Sequence, residues 1–428
     1  MDKFVGIRRE DKNIWERRVP IIPSDMKWLN REHGIDFITQ PSDIRVFKNK
    51  EYAEVGSIVD ENINSADLIV AVKEIPVDIL SAGKTYVYFS HTIKGQDYNM
   101  AMLKKLMDLK CNLIDYERIV NEKNQRLIFF GKYAGYAGMI ETLHAYGKKL
   151  KLQGIDNPFE EVKQAFEYSS VEEAKNHIQN IGIKFLKMGI PSPGIFGFTG
   201  YGNVSKAAQE ILDLLPVKTI TPGDLESQYD LAGKDANHLY KVVFGEKDMV
   251  KPKSGPFILQ DYYDHPEKYS SQFHKYLPYL SVIVNCIYWT EAYPRLLTKQ
   301  YLANNPDIKL SLIGDISVDI DGSIEITNKA TYPDHPSYTY NPHDNTYHEG
   351  IIKEGISIMA IDNLPCEFPK ESSSEFSKIL KEFIPGIINA NFDVPFKELS
   401  LPEPIKKALI VQNGELTDDY KYMSEFIK

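Results

Sequence analysis

GIFGFTGYGNVSKAAQEILDLLP, residues 194–216, is the stretch whose reading decides the fold. It opens with an apolar run, Ile195-Phe196-Gly197-Phe198, of strand length. It closes with Ala207, Ala208, Ile211, Leu212 and Leu215 at helical spacing, stopped by Pro216. Between them lies Gly200-Tyr201-Gly202-Asn203-Val204-Ser205. A strand, a tight glycine turn and a helix N-terminus together make a phosphate cradle. Gly200 allows the turn, and Gly202 lets backbone N–H groups approach a pyrophosphate. Asn203, Val204 and Ser205 begin the helix, with Ser205 where the dinucleotide fingerprint has its third glycine. The stretch therefore predicts a nucleotide site on an α/β sheet.

Working outward, residues 1–132 alternate strands and helices. Strands are expected at 4–7, 35–38, 68–72, 85–89 and 112–114. Helices are expected from Ser24 to His33, ended by Gly34, and over 97–110. Such alternation implies a parallel sheet. Four of these strands are followed by polar residues: Arg8 and Arg9, Lys73 and Glu74, Ser90 and His91, Asp115 and Glu117. In an open α/β sheet ligands bind outside the carboxyl ends of the strands, so strand direction alone gathers these side chains along one rim.

Residues 133–152 read as a tightly packed helix between two domains, and Ser169 or Ser170 as the cap of a helix reaching about Ile178. Residues 181–193 read as a linker. Beyond Pro216, 217–220 is the expected second strand of the nucleotide unit. Residues 245–280, rich in Tyr, Pro and charge, read as an irregular excursion over a cleft rather than sheet. Residues 281–284 and 310–313 are later strands, with Asn285 and Asp315 at their ends. Helices are expected at 372–384 and 420–427. His335, His343 and His348 lack tight ligand spacing, and no metal is expected.

The chain has 428 residues, enough for two domains, with 43% hydrophobic and 26% charged content. A net charge of −10 disfavours nucleic acid and anionic membranes as partners. No apolar run reaches membrane-spanning length, and MDKFVGIRREDK lacks the apolar core of a signal peptide. The three cysteines show no C-x-x-C spacing and read as free thiols, which together points to the cytoplasm.

Several motifs carry a family resemblance. They are Arg8-Arg9-Glu10-Asp11-Lys12 with Trp15-Glu16-Arg17-Arg18, Val72-Lys73, Phe89-Ser90-His91-Thr92-Ile93-Lys94 and Leu113-Ile114-Asp115-Tyr116-Glu117. Phe198-Thr199-Gly200 with Gly202-Asn203-Val204-Ser205-Lys206, Asn285-Cys286-Ile287-Tyr288-Trp289 and Ile361-Asp362-Asn363-Leu364-Pro365 continue it. Together they resemble lysine-ketoglutarate reductase, the amino-terminal half of bifunctional aminoadipic semialdehyde synthase. Free-standing lysine-forming saccharopine dehydrogenases and alanine dehydrogenase are similar at greater distance.

The resemblance implies two Rossmann-like, doubly wound α/β domains with the active site in the cleft between them. The first is discontinuous, 1–150 plus 372–428; residues 151–189 connect it to a dinucleotide-binding domain at 190–371. It implies formation of saccharopine from L-lysine, 2-oxoglutarate and NADPH, with NADH as the other candidate. Lys73 and His91 align with an acid–base pair, and Arg18 and Arg126 with arginines that hold substrate carboxylates. Arg8 is a further cation for a product with three carboxylates, and Glu74 and Glu117 orient these groups or hold the lysine ammonium. Gly200, Gly202, Asn203, Val204, Ser205, Thr221 and Asn285 are the cofactor candidates. About 20 residues past the glycine turn, NAD-binding folds place a carboxylate on the ribose. Here the count reaches Thr221, which favours NADPH; a slip of a few residues brings in Asp224. The competing readings are a lysine-forming saccharopine dehydrogenase, a reductase of another amino acid and oxo acid, and a noncatalytic NADP-binding sensor or assembly protein.

Overall fold

The computed structural model describes residues 3–190 and 194–427. The chain forms two compact units: residues 1–130 with 369–428, and residues 131–368.

The first unit begins with β1 (Phe4–Ile7), α1 (Pro23–His33), β2 (Asp36–Thr39), α2 (Asn49–Glu54), β3 (Ile58–Val59) and β4 (Leu68–Val70). It continues with β5 (Thr85–Tyr88), α3 (Asp97–Asp108) and β6 (Asn112–Asp115). Helix α1 starts one residue before the expected cap, because Pro23 occupies its first turn and has no N–H to satisfy. It stops at Gly34, whose φ of +62° is left-handed.

The second unit opens with α4 (Gly131–Leu152) and α5 (Val171–Met188), the latter capped by Ser170, whose hydroxyl accepts from Glu173 N–H. Helix α5 thus runs ten residues past the expected end at Ile178, through the start of the expected linker; its last residues, 191–193, lie outside the described residues. Then come β7 (Gly194–Thr199), α6 (Asn203–Leu212), β8 (Val217–Thr219), β9 (Leu239–Phe244), β10 (Val250–Pro252) and β11 (Tyr269–Ser271). Strands β12 (Val282–Asn285), β13 (Leu312–Asp315), β14 (Ser337–Asn341), β15 (Thr346–Glu349) and β16 (Ile356–Met359) complete it. The chain returns to the first unit through helix Pro369–Leu380 and strands β17 (Leu409–Gln412) and β18 (Glu415–Leu416).

Each unit is built on an eight-stranded sheet. The first has the order β18-β17-β6-β5-β4-β1-β2-β3, with β1 to β6 parallel and β17 antiparallel to β6. The second has the order β15-β14-β16-β13-β12-β7-β9-β8, with β14 and β15 the antiparallel edge. Both sheets are covered on both faces. In β4, Leu68 and Val70 join a core with Met26 and Leu29, whereas Ile69 joins one with Met100 and Leu103. In β7, Phe196 and Phe198 face one core and Ile195 the other. Continuous apolar strands are what double coverage demands.

Three features differ from the sequence reading. Helix α4 belongs to the second unit, where it lies against α6; the expected first domain had absorbed it. Residues 245–280 are not an open excursion: β10 pairs with β11, and Tyr262, Tyr269, Phe273 and Tyr276 are buried in the core. Strand β9 was not anticipated. Lys241 interrupts its apolar run, and is buried because its ammonium sits 2.7 Å from both carboxylate oxygens of Asp213. Among the described residues no helix is long and apolar enough to cross a membrane.

Small residues let α4 and α6 approach closely. A Cβ on Gly135 would meet the carbonyl oxygen of Val204 and stand 2.7 Å from Ala207 Cβ. Gly135→Val is therefore expected to overpack this contact, at a cost of about 1–3 kcal/mol. Thermal unfolding should show a midpoint lower by several degrees; an unchanged midpoint would show that the helices separate freely.

Candidate active site

Strands β1, β4, β5 and β6 are parallel neighbours, so their carboxyl ends share one edge of the first unit. Lys73 and Glu74 follow β4, and Phe89 to His91 follow β5. The Phe89 ring lies near both candidate acid–base groups. Lys73 Nζ lies 5.6 Å from its centroid, and the His91 ring meets it edge-on at 4.1 Å. His91 holds a left-handed backbone, φ +52°, which is rare outside glycine and concentrates at functional sites. Its Nδ1 donates to Glu74 Oε2 at 3.1 Å, and Lys12 Nζ donates to Glu74 Oε1 at 2.7 Å. Burial works against ionisation of Glu74, but these two hydrogen bonds outweigh it and hold the carboxyl down to about 2. Lys73 is shifted below the ordinary lysine range, first by burial and then by Arg18 and Lys12; Glu16 and Glu74 oppose the shift. An amine so placed is a base.

Two acidic residues that the sequence reading gave no role organise the edge. Glu10 is buried, and its carboxylate accepts from the N–H groups of Val72 (2.6 Å) and Lys73 (3.0 Å). It thereby clamps the turn that carries Lys73. Burial and the charge of Glu16 raise its carboxyl to about 8, against the pull of those N–H donors. Glu16 and Arg18 form a bidentate pair, Nε to Oε1 at 2.8 Å and Nη2 to Oε2 at 2.6 Å, with side chains 1% and 2% exposed. Arg18 also lies 4.5 Å over the Phe130 ring. Expected to meet substrate carboxylates, Arg18 is thus already paired with a carboxylate of its own chain. Arg8 is likewise committed to the Arg9 carbonyl and, at 2.5 Å, to Asp11. Arg126 pairs with Glu117 but is half exposed. Asp115 accepts from Ser90 N–H (2.9 Å) and Ser90 Oγ (2.5 Å), and burial lifts its carboxyl to about 6.

The second unit carries the glycine turn expected to cradle a nucleotide. Gly200 has φ +83°, and a Cβ there would press on Ile287 Cγ2 at 3.1 Å. Gly202 precedes α6; a Cβ on it would meet nothing within 4 Å, and no side chain caps the helix. The first N–H groups of α6, at Asn203 and Val204, therefore lie at an open approach, which fits a pyrophosphate, whereas Ser205 is buried. The Ser205 side chain points elsewhere: it is fully buried and accepts from Gln209 Nε2 at 3.0 Å. Asn285 is also consumed internally. Its amide donates to Asp315 Oδ1 (2.9 Å) and Ser323 Oγ (3.0 Å), and its oxygen accepts from Thr199 Oγ1 (2.7 Å). Thr221 lies just past β8 and donates from Oγ1 to Asp224 Oδ2 at 2.6 Å. The Asp224 carboxylate, which a slip of the residue count brings in, thus lies beside Thr221.

Residues 6–137 match the alanine dehydrogenase/PNT N-terminal domain family. Over 99% of its length the chain is 37% identical to an alpha-aminoadipic semialdehyde synthase of Arabidopsis thaliana, of which it covers 41%. It is 23% identical over 87% of its length to a saccharopine dehydrogenase [NAD(+), L-lysine-forming] of Yarrowia lipolytica, covering 89% of that protein. Among solved structures an L-alanine dehydrogenase shares the fold, with a TM-score of 0.62 at 14% identity, over 99% of this chain and 100% of that one. The chain spans less than half the length of the semialdehyde synthases it matches.

The Glu10 clamp has a pH signature. Its folded-state pKa of about 8 exceeds the ordinary 4.5, so between those values the folded unit binds a proton that the unfolded chain has released. Stability contributed by this group is full below about pH 4.5 and is lost as pH rises toward 8. Denaturant titrations across this window should show wild-type stability falling relative to Glu10→Gln, which cannot titrate. Parallel pH profiles for the two proteins would contradict a buried, proton-holding Glu10.

Proposed function

Because this chain is a relative of the alpha-aminoadipic semialdehyde synthases along nearly its whole length, we propose that it condenses L-lysine with 2-oxoglutarate and reduces the resulting imine to saccharopine. The observation that carries this reading is the Lys73–Phe89–His91–Glu74 arrangement on adjacent strand ends. The condensation loses water, so the carbinolamine must gain and shed protons. Lys73, with its basicity lowered by burial and by neighbouring cations, takes the proton from the attacking ε-ammonium. His91, oriented through Nδ1 by Glu74, presents its other ring nitrogen to the substrate and exchanges protons with the carbinolamine oxygen and the product amine. A nicotinamide cofactor, when bound, would supply the hydride that reduces the protonated imine to the secondary amine. Backbone N–H groups of Asn203 and Val204 would hold its pyrophosphate, and Gly200 and Gly202 give the approach.

Carboxylate recognition falls chiefly to Arg126, whose half-exposed guanidinium can trade Glu117 for a substrate. Arg18 acts mainly through its field: with Glu16 it sets the charge that Lys73 feels. Arg126→Ala should raise the KM for a carboxylate substrate about tenfold, or about 1.4 kcal/mol, with kcat little changed. Unchanged saturation curves for both substrates would remove Arg126 from the site.

The Asp224 carboxylate supports NADH rather than the NADPH first expected. It can accept from a free 2′-hydroxyl, and it repels a 2′-phosphate. The wild type is expected to use NADH at a lower KM, and Asp224→Asn to narrow the gap by improving NADPH. A wild-type preference for NADPH would overturn this assignment.

Stopped-flow or steady-state oxidation of reduced cofactor with lysine and 2-oxoglutarate tests the chemistry. Lys73→Met and His91→Gln should each lose about 10²–10⁴-fold in kcat while still binding cofactor. The rise in rate that accompanies deprotonation of Lys73 should vanish in Lys73→Met. Near-wild-type turnover in both variants would refute the roles.

A further inference from the structure

A cavity of about 620 Å³ opens on the second unit between α4 and the β14–β15 hairpin, away from the nucleotide cradle. Its strand β14 lies four positions from β7 in the sheet, about 19 Å at about 4.8 Å per strand. The helix contributes His144, Lys148 and Lys151, which recur at helical spacing on one face. The turn before β14 contributes Asp334 and His335, and β14 itself Ser337.

Two polar atoms on the lining are buried without a hydrogen-bond partner: His144 Nε2 and Ser337 Oγ, the latter on a residue only 5% exposed. The chemistry of the first is fixed by its sister atom. His144 Nδ1 donates to the Val162 carbonyl at 2.6 Å, and burial shifts the imidazole toward its neutral form. Nε2 is therefore an acceptor that calls for a donor. The Ser337 hydroxyl can donate to an acceptor. The charges divide in the same way. Lys151 is occupied by Asp156 at 2.9 Å and Glu160 at 3.5 Å, and Glu349 by Lys329. Lys148 and Asp334 have no ion-pair partner among the described residues. What remains on offer is one ammonium, one carboxylate, one hydroxyl donor and one neutral acceptor.

We propose that this cavity binds the zwitterion of a small α-amino acid. The ligand ammonium is held by Asp334 and His144 Nε2, and the ligand carboxylate by Lys148 and Ser337 Oγ. A phosphate or dicarboxylate would meet Asp334 and the acceptor nitrogen, and a simple amine would leave Lys148 unanswered. The volume suits a small ligand. The site shares no residue with the strand ends that carry Lys73 and His91.

Isothermal titration of the full chain with L-alanine and with L-lysine tests this. Binding is expected for both probes, and its loss in variants of the cavity residues Lys148 and Asp334 places it off the reaction site. Lys148→Gln and Asp334→Asn should each weaken it about tenfold, and Ser337→Ala less, with cofactor affinity unchanged. N-acetyl-alanine and alaninamide, each lacking one charge, should bind at least tenfold more weakly. No binding of either amino acid up to about 10 mM, or affinity indifferent to Lys148→Gln and Asp334→Asn, would overturn the proposal. Because the probes are read by binding, this outcome is distinct from a failure to form saccharopine.

Discussion

A carboxyl group that reaches across from the end of one strand to the backbone of the next governs the candidate catalytic edge of the first unit. Glu10 takes the N–H groups of Val72 and Lys73 just where β4 runs out of sheet partners. Without it two buried donors would be unsatisfied, each costing on the order of 1–3 kcal/mol. The turn that carries Lys73 and Glu74 would lose its anchor. Since Glu74 in turn holds His91, one side chain after β1 fixes the geometry of groups after β4 and β5.

Electrostatics then narrows what these groups can do. The edge is crowded with charge, yet most of it is paired: Arg18 with Glu16, Arg8 with Asp11, Arg126 with Glu117, Lys12 with Glu74. Lys73 stands apart, against an aromatic face and under the field of nearby cations. Buried pairs contribute little net stability, and breaking one leaves an uncompensated charge at a cost of about 3–5 kcal/mol. Their value here is positional: they hold cations and anions close enough to depress the basicity of one amine without neutralising it.

Much of this was legible in the sequence because strand direction is legible. Apolar runs ending in polar residues, repeated four times, located the edge without any distance. The Gly200–Ser205 turn located the cradle in the same way. What failed was anything depending on where a polar side chain points. Asn285 ends a strand as a ligand group would, but its amide is spent on Asp315, Ser323 and Thr199. Ser205 turns its hydroxyl into the helix. The count left Thr221 and Asp224 both open, because only the folded turn shows that their side chains meet at 2.6 Å. Strand β9 escaped because a lysine in a strand reads as exposed, whereas Lys241 is buried on Asp213. The roles of Glu10 and Glu16 were hidden because burial converts an ordinary acidic residue into a clamp, and burial is a property of the folded chain.

The proposed reaction delivers a hydride to an imine made from the side chain of lysine and the ketone of 2-oxoglutarate. The most direct test is isotopic. The protein would be incubated with both substrates and a nicotinamide cofactor carrying deuterium at the transferable C4 position, and the product examined by mass spectrometry. The account predicts saccharopine carrying one deuterium on the carbon that was the ketone of 2-oxoglutarate. Cofactor oxidation without deuterated saccharopine, or deuterium in a reduced hydroxy acid instead, would contradict it.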